Sequence, residues 1–179
     1  MRKLVRYLTI NYLEDFHGKR IYVEANIFVY NALAHPIYGD SCKNFLDRSL
    51  NNEFEIITSS LAIDEIAFVS LKLKLEEKYN ITSNAVRYLK SNPRIVEVLA
   101  VEVNQIIDDV LLIATIADVR EVDISSMQNY MRDYGLFPRD ALHLSVIHRL
   151  GLSDLASNDQ DFERVGWLNL YKPSTSSTP

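Results

Sequence analysis

An α/β fold is predicted for this chain, with a mainly parallel sheet of five short strands covered by helices on both faces. Two observations carry the prediction. Short runs of β-branched and aromatic residues, each bounded by turn signals, recur along the chain. Helix-length stretches with apolar residues at three- and four-residue spacings separate them. Short apolar strands joined by helical crossovers become parallel neighbours, with a helix layer on each side.

Each element has its own signal. Residues 3–13 read as a short helix, and a polar turn through His17, Gly18, Lys19 and Arg20 closes an N-terminal extension of residues 1–20. Ile21, Tyr22 and Val23 form the first strand. A helix over 27–34 stops at His35 and Pro36. Cys42, Phe45, Leu46 and Leu50 set a second helix over 41–51. Residues 55–58 form the second strand. Ser60 suits the N-cap of a long helix running to Tyr79, and 81–90 reads as a further helix. Pro93 suits a first helical position. It opens a helix to about Asp109, continued or kinked toward Ala117. Residues 120–124 read as the third strand. Ser125 or Ser126 then caps a helix that ends at Tyr134, with Gly135 as its stop. Pro138 opens the next helix, which ends at Leu150 and Gly151. Residues 154–157 form the fourth strand, 161–165 a helical turn and 167–171 the fifth strand. The domain therefore spans 21–171, and the polar tail 172–179 is expected to be disordered.

Composition narrows the class. A length of 179 residues suits one domain. At 47% hydrophobic and 24% charged, the chain can fill an ordinary core. Lys+Arg 19 against Asp+Glu 24 leaves a formal net charge of −5. That argues against holding nucleic acid through a broad basic surface. It leaves room for an acidic site that meets phosphate through metal ions. A single cysteine, Cys42, excludes an internal disulfide framework and a cysteine-cluster zinc site, and fits a reducing compartment. Arg6 interrupts the N-terminal apolar run short of the ~7–15 residues of a signal peptide. No run approaches the ~20 apolar residues of a membrane span. A cytoplasmic protein with no membrane partner is expected.

The acids fall in a pattern. Open α/β sheets bind ligands beyond the carboxyl ends of their strands, where the strand order reverses. The first predicted strand runs into Glu24, Ala25 and Asn26. The second runs into Thr58, Ser59 and Ser60. The fourth runs into Ser157, Asn158 and Asp159, with Asp161 two residues on. Asp140 lies in the first turn of the helix that Pro138 opens. Glu65 lies in the second turn of the helix after Ser60. Neighbouring helix positions are ~100° apart, so Asp64 and Glu65 face different ways and one of them borders the apolar side. A carboxylate there needs a partner, a metal or a raised pKa. Singly, each acid reads as a turn, a helix-end charge or a solvated edge. Their gathering at one sheet edge is what points to a site.

At these residues the chain resembles PIN-domain proteins, most of all the stand-alone VapC-type toxins. The family's first strand ends in an Asp-Thr-Asn-like motif, matched by Glu24, Ala25 and Asn26. Its second strand leads through a Ser/Thr to a helix bearing a Glu, matched by Ser59 and Glu65. Its Asp-Ala-Leu-His segment is matched by Asp140, Ala141, Leu142 and His143. Its Thr-Asn-Asp-x-Asp-Phe-like run is matched by Ser157, Asn158, Asp159, Gln160, Asp161 and Phe162. The likeness covers about residues 21–171, and its last two motifs are the specific ones. It implies a three-layer α/β/α fold and an endoribonuclease dependent on one or two Mg²⁺ or Mn²⁺ ions. Carried over, Glu24, Glu65, Asp140 and Asp159 are the catalytic acids. Glu24, Asp140 and Asp159 are the principal metal ligands, with Asp161 auxiliary. Asn26, Ser59 and Ser157 orient the carboxylates. An RNA substrate, a small antitoxin partner and a homodimer are implied as well, with the apolar helices after Tyr79 as the place to seek the dimer contact.

One departure stands out. The family's first acid is normally Asp, and here it is Glu24. One methylene moves the carboxylate by roughly 1.5 Å, and Mg²⁺ tolerates little geometric error. The alternative reading is therefore a catalytically weak PIN-like module that binds RNA or protein. A DNA-cutting nuclease of related fold is a third reading. Arg139 and Lys72, with Lys74, are weak candidates for RNA contact, since solvated helix charges look the same. His143 and His148 are five apart, not the four that puts two ligands on one helix face. His143 reads as a packed helix histidine, although it stacks three residues from Asp140.

Overall fold

The computed structural model describes residues 11–175. Among these residues, six parallel strands make one sheet in the order β1-β6-β5-β2-β3-β4. They are β1 (Asn11–Tyr12), β2 (Arg20–Val23), β3 (Glu55–Ser59), β4 (Ala114–Ala117), β5 (Asp154–Ala156) and β6 (Asn169–Lys172). The α-helices among the described residues are α1 (Ala25–Ala32), α2 (Gly39–Leu50), α3 (Ser60–Tyr79), α4 (Ala85–Ser91), α5 (Pro93–Ile113), α6 (Glu121–Tyr134) and α7 (Pro138–Arg149). The expected α/β/α layering is what the chain adopts.

Alternation along each strand separates the two faces. Ile21, Val23, Ile56 and Ala156 point to one side, where they pack with Ile27 and Phe28 of α1, Phe45 of α2, Ile66 of α3 and Val110 of α5. Tyr22, Ile57 and Leu155 point to the other, against Ala141, Leu144 and Ile147 of α7, with Met127 and Met131 of α6 beyond. Leu75, Leu89 and Leu99 form a satellite cluster where α3, α4 and α5 meet. The apolar helices after Tyr79 thus bury one stripe within the chain.

The order places β2 centrally. From it the chain steps through β3 to β4 in one direction, and later returns to β5 on its other side. The strand order therefore reverses between β2 and β5. Tyr22 pairs across that line with Leu155, and Val23 with Ala156.

Two expectations are corrected, and two more fall partly outside the described residues. The third strand is not 120–124 but Ala114–Ala117, which continues α5 with no loop between Ile113 and Ala114. Residues 121–124 are the first turn of α6. Asp123 is the reason: its Oδ2 accepts the Arg120 N–H at 2.8 Å and closes a capping box. The sheet has six strands rather than five, because Asn11 and Tyr12 pair with Tyr171 and Lys172 at its edge. The helix expected over 3–13 falls mostly on residues outside those described, and its last part is this strand and the start of a 3-10 turn, Leu13–Asp15. Leu13 and Phe16 are fully buried, and Arg48 Nη2 of α2 donates to the Phe16 carbonyl at 2.6 Å. The tail expected to be disordered lies partly outside the described residues. Its described part begins with Lys172 in β6, and the Ser174 N–H then donates to Ser41 Oγ at 3.0 Å.

Candidate functional site

The three strands that end beside the reversal each deliver polar side chains. Glu24 directly follows β2 and starts α1. Its backbone N–H donates to the Ala156 carbonyl at 3.1 Å, a rung that locks the end of β2 against β5. Its carboxylate is buried, and Oε2 accepts from both Asn26 Nδ2 and Ser157 Oγ. Asn26 also reaches Ser157 Oγ at 3.3 Å, and its Oδ1 accepts the Asn158 N–H at 3.2 Å. The Asp159 N–H donates to Ser157 Oγ at 2.9 Å. Asp159 Oδ1 accepts the Asp161 N–H at 2.8 Å and caps the following 3-10 turn, Gln160–Arg164. One continuous network thus fixes the tips of β2 and β5 around the Glu24 carboxylate.

Ser59, not Ser60, caps α3, accepting the Ala62 N–H at 3.3 Å. The helix then turns Glu65 inward and Asp64 outward, with side-chain exposures of 12% and 66%. Arg139 spans the two, at 3.3 Å from Glu65 Oε1 and 3.2 Å from Asp64 Oδ2. From α7, His143 Nε2 meets Glu65 Oε2 at 3.0 Å. Ligand atoms of Glu24, Glu65 and His143 all lie within 4.8 Å of one another.

Burial works against charge on two of the acids. Burial pushes Glu24 up from 4.5 to about 7, with Glu65 and Asp159 adding to the rise against the lowering effect of Ser157 and His143. Burial likewise lifts Asp140 from 3.8 to about 6, helped by Asp159, Asp161 and Glu65. Converging carboxylates with raised pKa values in a concave site are what a hard divalent cation relieves. The group that converges is Glu24, Glu65 and His143: two carboxylates, the donor type that suits a hard divalent cation, and one imidazole.

The structure therefore brings Glu24, Asn26, Glu65 and Ser157 into direct proximity. Asp140 and Asp159 stand outside the tight group and are felt electrostatically. Asp161 is tied to Arg164 Nη2 at 2.6 Å. Ser59 does not reach Glu24; its hydroxyl meets Tyr22. Of the weak RNA candidates, Arg139 borders the site. Lys72 lies elsewhere, its Nζ 5.5 Å from the Phe68 ring centre, beside a separate cleft with Arg87 and Lys90. Lys74 is paired with Glu77 and Glu102. His143 was the residue the sequence undervalued. Its place three positions after Asp140, at the end of the Asp-Ala-Leu-His match, is the signal that could have found it.

A groove leads away from the acids between α1 and α3. Val29, Leu33, Phe68 and Leu73 line it, with Glu24, Glu65 and Arg139 at one end.

Known proteins share this fold. A family model described as PIN domain matches residues 21–168. Ribonuclease VapC2 of Methanocaldococcus jannaschii is 23% identical over 154 residues, covering 86% of this chain and 93% of that protein. Among solved structures, VapBC2 from Rickettsia felis, bound to a DNA fragment from its promoter, superposes with a TM-score of 0.56 at 19% identity. That match covers 87% of this chain and 99% of the other. DNA-bound VapBC from Salmonella typhimurium gives 0.53 at 14% identity, over 87% and 98%. Mycobacterium tuberculosis VapC20, a sarcin-ricin loop cleaving toxin, gives 0.51 at 13% identity, over 82% and 95%.

Proposed function

The chain belongs to the PIN-domain family, and from that premise we propose that it is a divalent-metal-dependent endoribonuclease of the VapC type, the toxin of a toxin–antitoxin pair. The observation that carries this reading is the seating of Glu24. The longer acid occupies the end of β2 with its carboxylate held by Asn26 and Ser157 and within ligand reach of Glu65. That favours a working first acid over an inert module.

In this reading Glu24, Asp140 and Asp159 hold the ion or ions, with Glu65 as a further ligand or an acid that orients water. When bound, Mg²⁺ or Mn²⁺ supplies Lewis acidity toward the phosphodiester and its leaving oxygen. The protein's own contribution is preorganisation. Asn26 and Ser157 fix the Glu24 carboxylate before substrate arrives, so little reorganisation remains at the moment of reaction. Without a cation Glu24, raised to about 7, keeps a proton part of the time at neutrality and Asp140, raised to about 6, does so in mildly acid solution; both would have to be ionised to hold the ion. Arg139, on the rim, suits a substrate phosphate.

An antitoxin partner is proposed on two grounds: the VapBC complexes among the similar folds, and the apolar groove that ends at the acids. A homodimer and a cytoplasmic location belong to the same reading. No helix among the described residues is long and apolar enough to cross a membrane.

The test is cleavage of a labelled structured RNA by antitoxin-free protein with Mn²⁺ or Mg²⁺. Metal-dependent cutting that Asp140→Asn abolishes supports the proposal. No cutting with either ion sinks it. A matched DNA substrate in parallel decides whether RNA is the preferred polymer.

A further inference from the structure

A buried hydrogen-bond chain stands behind Glu65, and the mechanism above does not use it. Tyr22 OH lies 2.7 Å from Ser59 Oγ and 2.7 Å from His143 Nδ1. The other imidazole nitrogen, Nε2, lies 3.0 Å from Glu65 Oε2. Ser59, Tyr22 and His143 are each fully buried. The Tyr22 and His143 rings also meet edge to face, with centroids 5.8 Å apart. The four residues come from four elements: the end of β3, the middle of β2, α7 and α3.

Packing alone gives no reason for this chemistry. Phenylalanine and leucine would fill the same volume without burying a hydroxyl and an imidazole, whose desolvation must be repaid by hydrogen bonds. Here every polar atom of the chain finds its partner, and the chain ends on one carboxylate oxygen. An ionised carboxylate only accepts, so Nε2 carries a proton toward it. The Tyr22 hydroxyl has one proton, donates to one neighbour and accepts from the other. Donation from Tyr22 to Nδ1 needs only the neutral imidazole, whereas donation from Tyr22 to Ser59 Oγ needs a proton on both ring nitrogens.

The two oxygens of Glu65 are held unequally. Oε2 meets His143, whose side chain is 1% exposed. Oε1 meets Arg139, whose side chain is 53% exposed. Solvated ion pairs exchange readily, whereas a hydrogen bond to a buried group is costly to leave unmade.

We infer that His143, locked by Tyr22 and through it by Ser59, is a positioning residue that fixes Glu65 Oε2 and leaves Oε1 free to exchange Arg139 for a cation. The inference rests on the metal-site reading above. It also couples the site along the chain, because Tyr22 of β2 sits two residues before Glu24.

The test is calorimetric titration of the purified full-length protein with Mn²⁺, with RNA cleavage kinetics and melting curves alongside. Removal of an outer hydrogen-bond partner of a metal ligand typically costs 10–100-fold in affinity. His143→Leu is expected to weaken Mn²⁺ binding by about that factor and to lower kcat with the RNA KM unchanged. His143→Gln, whose amide can still donate to Glu65, recovers most of the loss. Tyr22→Phe keeps the ring, and so the packing, and is expected to weaken Mn²⁺ several-fold. It serves as the test if His143→Leu does not fold. Wild-type affinity in a folded His143→Leu, or in Tyr22→Phe, overturns the inference alone. Equal losses in His143→Leu and His143→Gln with none in Tyr22→Phe also overturn it, and make the imidazole itself a ligand. A wild-type protein that binds no Mn²⁺ overturns the metal-site reading, and this inference with it.

Discussion

Asn26 grips Glu24 from two residues away: its Nδ2 donates to Glu24 Oε2 while its Oδ1 receives the Asn158 N–H at 3.2 Å. One amide therefore joins the end of β2 to the loop after β5. Asn26→Ala frees the Glu24 carboxylate and leaves the Asn158 N–H without that acceptor. The expected result is a loss of about 1–2 kcal/mol in stability and roughly 10–100-fold in cleavage rate. Urea unfolding and initial rates measure the two separately, and a full rate with lowered stability would make Asn26 a purely structural tie.

Shortening the first acid tests whether Glu24 is a flaw or a fitted part. Its carboxylate already reaches Asn26 and Ser157. Glu24→Asp pulls it back by roughly 1.5 Å and breaks that fit, despite restoring the family's usual residue. Cleavage is expected to fall by about tenfold or more. A rise in rate would show that the site had been compromised by the longer chain.

The raised pKa of Glu24 gives stability a definite pH dependence. The group titrates at about 7 in the fold against an ordinary value of 4.5. Between these values the folded protein binds more proton than the unfolded chain, so stability falls as pH rises through the window. In metal-free protein, Glu24→Gln lacks this slope. Relative to wild type it gains on the order of 3 kcal/mol between pH 4.5 and 8. Asp140, raised to about 6 from 3.8, contributes in the same direction at lower pH. Denaturant unfolding in EDTA across that range reads the gap, and a constant gap contradicts the shift. Added Mn²⁺ should reverse the trend, stabilising more at pH 8 than at pH 5.5, since its ligands must be deprotonated.

A fourth prediction concerns the scaffold. Asp123 is almost wholly buried and accepts from Arg149 Nε at 2.8 Å as well as from the Arg120 N–H. Arg149 also donates to the Asp118 carbonyl at 2.6 Å. These bonds clamp α6 to the end of α7. Arg149→Met strands a buried carboxylate and is expected to cost about 3–5 kcal/mol, read as a lowered unfolding midpoint. Asp140 lies at the opposite end of α7 from Arg149, so any surviving folded fraction should cleave with an ordinary rate.

Asp123 also explains where the sequence misled. Glu121, Val122, Asp123 and Ile124 alternate polar and apolar, which suggests a strand. The alternation is the first turn of α6, with Asp123 folded back to cap it and Val122 and Ile124 exposed. The real strand, Ala114–Ala117, was hidden in an apolar run continuous with α5, and no turn residue announces the change from helix to strand. The edge strand Asn11–Tyr12 is too short to show any period. By contrast, Ile21, Tyr22, Val23 and the acids after the strands were legible, because burial on both faces and a polar strand end leave local marks. The partners of the site were less so. That Glu65 turns inward and Asp64 outward depends on the rotation of α3 set by Ile66 and Ala62 in the core. That His143 meets Glu65 across 78 residues depends on α7 packing under β2. A residue-by-residue reading reaches neither.

The central claim is that Glu24, despite its length, joins Asp140 and Asp159 in holding a divalent cation. The most direct measurement is anomalous diffraction from a crystal soaked in Mn²⁺. The account predicts a peak between the carboxylates of these three residues, absent in Glu24→Gln soaked alike. A peak held only by Asp140 and Asp159 with Glu24 turned away, or no peak at all in the wild type, would contradict it.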